Sequence, residues 1–265
     1  MKLSFRRWHI HFIILFICGL SACQKGNSMG VRAAKLNISK YFADPVAAKF
    51  VSAVQDGNLK QVSEMLAAGM NPNVKGTDDF RPLFFVFPAA TADVTRALLA
   101  AGADPNARLK DKSTPLYFAV RLENSSFTQA LLQAKADPNA VVENDKPIIH
   151  EAVSSEQPQQ LKLLAQAGAN INVVWGSGTP LYAALGSQDW KMASTLLDLG
   201  ANVTWRSLGG LTQYTAPERF CNQLTDPNGQ VQATSQNRDD VVGLFAAFSR
   251  RGVVLTCADQ VNRFR

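Results

Sequence analysis

One spacing of about thirty-three residues governs this chain, because the same turn returns five times at that interval. A residue that ends a helix stands at each return, and a short polar residue follows it in step. The helix-ending residues are Gly69, Gly102, Lys135, Gly168 and Gly200, and the turn residues are Asn73, Asn106, Asn139, Asn172 and Thr204. A unit repeated at this spacing cannot bury its apolar side alone, so neighbouring units must stack around a shared core.

Four tetrads recur in the same register and open a helix in each unit. They are Arg81-Pro82-Leu83-Phe84, Thr114-Pro115-Leu116-Tyr117, Pro147-Ile148-Ile149-His150 and Thr179-Pro180-Leu181-Tyr182. A threonine hydroxyl can cap the helix, and proline at the first helical position lacks only an N–H that would have no partner. Together with the turns and a leucine pair such as Leu98-Leu99, the tetrads resemble the ankyrin repeat, whose marks are T-P-L-H-x-A, a leucine pair and G-A-D-x-N. The resemblance implies an all-α ankyrin-repeat solenoid of helix-turn-helix units with hairpin fingers and an irregular C-terminal cap.

The repeat register predicts one ankyrin domain over residues 44–265. It divides into an N-terminal capping repeat at 44–76, full repeats at 77–204 and a degenerate repeat at 205–265, which carries an inserted polar loop from Thr225 to Asn237. Within this register Lys135 occupies a glycine position. A side chain there is strained, because the residue that ends such a helix adopts a left-handed backbone.

The N-terminus has the pattern of an export signal. Lys2, Arg6 and Arg7 precede the apolar run from Phe12 to Leu20, which is too short for a membrane span of roughly twenty residues. Leu20-Ser21-Ala22-Cys23 resembles the lipobox of bacterial lipoproteins, which implies a signal peptide at 1–22 and a lipid on Cys23. The alternative is an ordinary cleaved signal that happens to precede a cysteine. Residues 23–43 are predicted to form a flexible tether. By resemblance to lipoprotein sorting in Gram-negative bacteria, Gln24 in place of an aspartate implies the outer membrane rather than the inner membrane.

Charge and cysteine usage both fit an exported protein. The formal net charge of +6 loses three positive charges with the signal peptide, which leaves too little to indicate a nucleic-acid partner. Besides Cys18 and Cys23, the chain contains Cys221 and Cys257, and an even pair in an oxidising compartment favours a disulfide. Two buried free thiols are the alternative.

Catalytic and metal-binding patterns are not apparent. His150 is the one histidine that follows Cys23, and it fills the histidine position of a repeat tetrad, where ankyrin proteins use it for structural hydrogen bonds. A nucleophile with its base, or a zinc site, needs more convergent groups than this. The sequence therefore predicts no enzyme, no metal and no cofactor.

The fingers are the expected contact surface, because the resemblance implies that fingers and first helices bind other proteins. The predicted partner-binding residues are Phe80, Arg81, Lys110, Lys112, Trp175, Trp205 and Arg206. Tryptophan and arginine are enriched among residues that dominate binding energy. The alternative for the aromatic residues is packing against the adjacent finger.

Two functional classes follow from the resemblance. Exported ankyrin lipoproteins resemble immunity proteins that block phospholipase effectors of type VI secretion, which predicts a periplasmic, outer-membrane-anchored protein whose partner is a lipase toxin. They are also similar to periplasmic scaffolds that support catalase activity or envelope stress resistance. In either class we expect a monomer before the partner binds, and the sequence does not identify that partner.

Overall fold

The computed structural model describes residues 36–87, 92–176, 178–205, 215–224, 238–255 and 257. These residues form two compact units, which divide between Asp137 and Pro138. The predicted signal peptide, Cys23, Arg206 and the inserted loop 225–237 lie outside the described residues.

In the first unit, helices pair within a repeat and stack on the next repeat. The α-helices are α1 (Pro45–Gln55), α2 (Leu59–Ala67), α3 (Asp93–Ala100), α4 (Pro115–Ala119) and α5 (Ser126–Gln133). A 3₁₀ helix, Pro82–Phe85, stands where the repeat pattern predicts an α-helix. Pro88 lies just beyond it, and proline disfavours helical backbone at the preceding residue, so this helix stays short. Helix α1 packs on α2 and on the 3₁₀ helix, while α3 packs on both α2 and α5.

Within the second unit, helices also pair within a repeat and stack on the next repeat. Its helices are α6 (Ile148–Ser154), α7 (Pro158–Gln166), α8 (Pro180–Gly186), α9 (Trp190–Asp198), α10 (Ala216–Leu224) and α11 (Arg238–Arg250). Helix α6 packs on α8, and α7 packs on α9. Helix α10 then packs on α8, and α11 packs on α9, so the last two helices occupy the positions of a further repeat.

The predicted all-α class is confirmed. No β-strand forms within the described ranges, where isolated bridges join Val141 to Pro147 and Trp175 to Gly178 in two of the fingers. Across those same ranges, no helix is both long and apolar enough to cross a bilayer.

The predicted flexible tether at 23–43 is wrong at its C-terminal end. Ile38 and Phe42 are buried, at 4% and 3% exposure, and a 3₁₀ turn at Ile38–Lys40 connects them. Leu36 exchanges two hydrogen bonds with the side-chain amide of Gln55 in α1. This segment is held because it packs on α1, and the Phe42 ring lies 5.8 Å from that of Phe85.

Helix ends follow the repeat chemistry. The Thr114 hydroxyl accepts from the Tyr117 N–H at 3.2 Å, and Thr179 caps α8 in the same way, so both predicted caps are confirmed. Gly102 ends α3 with a φ of 90°, which glycine adopts freely. Lys135 ends α5 with a φ of 68°, so the predicted left-handed side-chain-bearing residue is present.

The turn asparagines form a ladder that joins consecutive repeats. Asn73, Asn106 and Asn139 each donate their side-chain amide to a helix-ending carbonyl in the next repeat and accept from the backbone N–H two residues beyond that carbonyl. Asn73 bridges Gly102 and Asp104 in this way, at 2.8 Å for both bonds, and Asn139 bridges Gly168 and Asn170. Asn172 accepts the corresponding bond from the Asn202 N–H. The asparagine that sequence reasoning assigns to local turn bonding therefore connects repeats, because a side-chain amide carries both a donor and an acceptor.

The last repeat has an aromatic core and a covalent link. The Phe220 ring in α10 lies 5.7 Å from Trp190 and 5.5 Å from Phe248, measured between ring centroids. Cys221, the next residue, forms a disulfide with Cys257, and both cysteines are buried. The link attaches the segment that follows α11 to α10.

Candidate functional site

The fingers are tight hairpins with an unusual turn composition. Both central residues of the turns at Asp78-Asp79 and Asn144-Asp145 have positive φ values, between 53° and 65°. Such turns match the twist of a hairpin and are usually filled by Asn-Gly or Asp-Gly. In the second of these fingers the Val142 N–H donates to the Lys146 carbonyl at 3.0 Å. The tips therefore present polar side chains from a defined backbone.

Phe80 is buried, so its prediction as a partner-binding residue is wrong. Its side chain is 4% exposed, and its ring lies 5.2 Å from Tyr41 and 5.6 Å from Phe85. Burial raises the pKa of Tyr41, and the charge of Asp78 adds to that rise. Tyr41 belongs to the packed segment that precedes α1. Its ring covers Phe80, so this finger residue is buried although its position in the repeat suggests exposure.

The predicted basic residues of the fingers lie in two kinds of environment. Arg81 is largely buried, and its Nη1 donates to Asp104 Oδ2 at 2.8 Å, so it connects the start of its repeat to the turn at the repeat's end. Lys110 is exposed and pairs with Asp78 of the preceding finger at 2.6 Å. Lys112 is also exposed, with a φ of 67°.

Trp175 packs on the neighbouring finger and is still partly exposed. Its Nε1–H donates to the Asn144 carbonyl at 3.1 Å, and its ring lies 5.7 Å from the His150 ring. Lys146 Nζ lies 5.3 Å from the ring centroid, within the range of a cation–π contact. Val174, just before it, is 52% exposed. The pair thus presents apolar surface on a finger whose tryptophan is fixed in orientation.

Trp205 belongs to a layered cluster in the second unit. Its ring lies 5.2 Å from that of Tyr182, and the Arg219 guanidinium carbon lies 4.1 Å from the centroid of the same tyrosine. A Cβ atom at Gly178 would stand 2.8 Å from the Trp205 ring, so glycine makes this contact possible. Trp205 is half-buried by these neighbours.

The comparisons with known proteins agree with this geometry. Residues 83–175 match the family model for ankyrin repeats, in 3 copies. The crystal structure of the ankyrin repeat domain of Bcl-3, a member of the IkappaB protein family, aligns with a TM-score of 0.61 and 23% identity. That alignment covers 77% of this chain and 86% of the Bcl-3 chain. The fold is that of the ankyrin repeat. The search of curated proteins found no match.

Ankyrin repeats are modules for protein–protein interaction. Two contacts near the first helices, one in each unit, involve residues that sequence reasoning did not single out. Arg121 Nη1 donates to the Tyr117 hydroxyl at 3.1 Å, with the guanidinium carbon 5.4 Å from the ring centroid. In the next repeat Lys146 pairs with Glu151 at 2.7 Å. The spacing of four residues between Tyr117 and Arg121 is visible in the sequence as a same-face helical pair. The Lys146–Glu151 pair depends on the turn of the finger, which spacing does not specify.

The ankyrin histidine has a structural bond. His150 Nε2 lies 3.0 Å from the Val173 carbonyl, so this nitrogen carries the proton that it donates. Burial lowers the pKa of His150, the bond to Val173 opposes that change, and the charge of Lys146 lowers the pKa further. The neutral ring therefore joins two ankyrin repeats.

One lysine–serine pair has a distance that hydrolytic chemistry would use. Lys146 Nζ lies 3.2 Å from Ser154 Oγ, and the same nitrogen donates to Glu151 Oε2 at 2.7 Å, so this lysine binds two side chains of helix α6. In the part of the chain that the structure describes, no cluster of three or more acidic, histidine or cysteine residues could hold a metal ion.

Proposed function

We propose that this chain is a lipid-anchored periplasmic protein whose ankyrin fingers bind and block another protein, and that the partner is a secreted antibacterial phospholipase. The observation that carries protein binding is the set of matched ankyrin repeats at 83–175, which ends on the partly exposed Trp175. The anchor and the toxin rest on the sequence, through the lipobox at Leu20 to Cys23 and the resemblance to exported immunity lipoproteins.

The fingers support tight binding because several of their side chains are held before a partner arrives. Trp175 is fixed by a hydrogen bond and a cation–π contact, while Trp205 is fixed on Gly178 and Tyr182. Ordering a flexible side chain on binding costs about 0.5–1.5 kcal/mol, so prior packing lowers this cost. An immunity protein needs nanomolar affinity, or about −12 kcal/mol, because each unbound enzyme turns over many lipids.

The direct test uses the protein encoded beside this chain's gene. That protein is expressed in the periplasm with and without the ankyrin protein, and growth, phospholipid hydrolysis and binding are measured. We expect growth to be restored and a nanomolar complex to form with a phospholipase. A neighbouring catalase whose activity rises with the ankyrin protein would instead support the scaffold role and reject the immunity role.

Two variants test the contact and the anchor separately. Trp175→Ala should weaken binding by about 2 kcal/mol or more if the tryptophan is a dominant contact. A melting curve of the variant separates lost binding from lost folding. Cys23→Ser should release the protein from membranes, because the attached lipid is the proposed anchor. Palmitate labelling that persists in Cys23→Ser would contradict lipidation at this residue.

A further inference from the structure

The finger of the third repeat carries alternating buried and charged residues. Ala107, Leu109 and Ser113 are buried, whereas Arg108, Lys110 and Lys112 are exposed. We call these three cations the basic finger. Alternate residues of an extended segment point to opposite sides, so Arg108 and Lys110 share the outer side. The turn that follows is closed by the Lys112 N–H, which donates to the Leu109 carbonyl at 3.0 Å.

Charge on this finger is not balanced by its own residues. Asp111 is the one acidic residue between Arg108 and Ser113. Lys110 pairs with Asp78, but both side chains are about half exposed, and exposed ion pairs contribute only about 0–1 kcal/mol. A carboxylate from a partner can therefore replace Asp78 at little cost.

Lys112 occupies a position that glycine would fill without strain. Its φ of 67° lies in the left-handed region, which costs a residue with a side chain roughly 1–2 kcal/mol. Residues held in such conformations are frequent in binding sites, where the side chain is needed at that point. The strained lysine adds a cation to the outermost part of the finger.

The turn that follows helix α4 supplies a further cation of a different kind. Arg121 is half-buried and stacks on Tyr117, which also accepts its hydrogen bond. A guanidinium group held in one orientation can bind a carboxylate through two parallel hydrogen bonds. An anionic lipid surface would bind mainly the fully exposed cations. A peptide segment is narrow enough to contact the half-buried Arg121 as well, which favours a protein partner.

We propose that the basic finger and Arg121 bind an acidic segment of the partner protein. This inference rests on the proposed protein-binding function and adds the chemistry of the partner. Carboxylates of the segment pair with Lys110 and Lys112, and one carboxylate forms the paired contact with Arg121.

The experiment uses a labelled oligoglutamate peptide, the full-length mature protein and a matched pair of variants. Lys112→Gly and Lys135→Gly each remove one exposed lysine with nearly the same left-handed backbone, at φ 67° and 68°. Net charge therefore changes equally in both. At low salt the peptide should bind wild type, and Lys112→Gly should weaken binding about threefold, the effect of one exposed charge pair. Arg121→Ala should weaken it at least as much, while Lys135→Gly should leave it unchanged.

Three results would overturn the inference: no peptide binding, equal weakening by the two glycine variants, or finger-dependent binding to phosphatidylglycerol vesicles without peptide binding. Amide chemical shifts that move within residues 108–121 and nowhere else would support it. If the neighbour-encoded protein binds but Lys112→Gly and Arg121→Ala bind it like wild type, protein binding stands and the acidic-segment inference fails. If that protein does not bind while the peptide still does, the immunity role fails and the basic finger stands.

Discussion

Asn106 holds the end of helix α5 through Lys135. Its side-chain amide donates to the Lys135 carbonyl at 3.0 Å, and its Oδ1 accepts from the Asp137 N–H at 2.8 Å. One side chain thus satisfies two backbone groups that lie 29 and 31 residues further along the chain. Asn106 therefore binds the backbone of Lys135, the residue with a left-handed conformation at the end of α5.

Replacing Asn106 tests how much one rung of the ladder stabilises the stack. Asn106→Ala leaves the Lys135 carbonyl and the Asp137 N–H without this partner, which should cost roughly 1–3 kcal/mol. Urea unfolding of the variant and of wild type measures the change in the free energy of unfolding. Asn37→Ala is the control, since Asn37 is exposed and makes no side-chain cap bond, and should change stability by less than about 0.5 kcal/mol. Equal unfolding midpoints for the two variants would mean that the ladder adds no stability.

Lys135→Gly should stabilise the protein. Glycine adopts the observed φ without steric cost, and the carbonyl that Asn106 binds is unchanged, so we expect a gain of about 1 kcal/mol. The midpoint of thermal or urea unfolding measures it. Lys135→Ala separates the two possible causes, because alanine removes the charge and keeps the strain. A gain of the same size in Lys135→Ala would assign the effect to charge.

Stability should fall on mild acidification because of His150. The pKa of the buried ring lies below its ordinary value, so below about pH 6.5 the unfolded chain binds a proton that the folded chain resists. Stability is therefore fully present above the unfolded pKa and decreases as pH falls through it. Urea unfolding at about pH 8 and pH 5.5 measures the change. His150→Gln, which cannot titrate, should show a smaller decrease.

Asp189 limits the pH range of that experiment. Burial raises its pKa, the hydrogen bond from the Met192 N–H opposes the rise, and the charges of Glu156 and Asp240 add to it. A raised carboxyl pKa means that the folded state binds the proton more tightly, so this group favours folding as pH falls. Its effect has the opposite sign to that of His150. A decrease in stability that is the same in wild type and His150→Gln would contradict the assignment to His150.

Gly178→Ala should destabilise the second unit. A Cβ atom there would stand 2.8 Å from the Trp205 ring and 2.9 Å from the Tyr182 ring, and overpacking of this kind costs about 1–3 kcal/mol. Gly243→Ala is a control with the opposite expected sign, because a Cβ at that site in α11 meets nothing within 4 Å and alanine favours helix. If both variants melt at the wild-type temperature, Trp205 is not held against Gly178.

The fold could be predicted from the sequence because its signals are local and repeat. Thr114 precedes Pro115, and Gly102 follows the leucine pair of its helix, so each helix end is specified by residues next to it. Recurrence of these signals at one spacing then specifies how the helices stack. The left-handed backbone of Lys135 could be predicted for the same reason. Lys135 stands where other repeats have glycine, and the end of the helix requires a positive φ at that position for any side chain.

The candidate surface was harder to predict from the sequence, because the burial of a finger residue depends on segments that are distant from it in the chain. Phe80 looks exposed until Tyr41 packs on it, and Tyr41 belongs to residues that lack any repeat signal. Trp175 shows both alternatives at once, since it packs on Asn144 and His150 and keeps part of its surface exposed. The Arg81–Asp104 ion pair joins residues 23 positions apart, a distance that no helical or strand period specifies.

The ladder also determines where the chain can change length. Asn172 Oδ1 accepts from the Asn202 N–H at 2.7 Å across 30 residues, where Asn106 and Asn139 make the same bond across 31. A deletion of one residue within a finger therefore keeps this bond. Thr204 takes the next place, has no amide, and hydrogen-bonds Asn202 within its own turn. Among the residues that the structure describes, the ladder therefore ends at the bond between Asn172 and Asn202. All of these ladder bonds lie upstream of α10, so we expect that residues added between α10 and α11 leave the register of the preceding repeats unchanged.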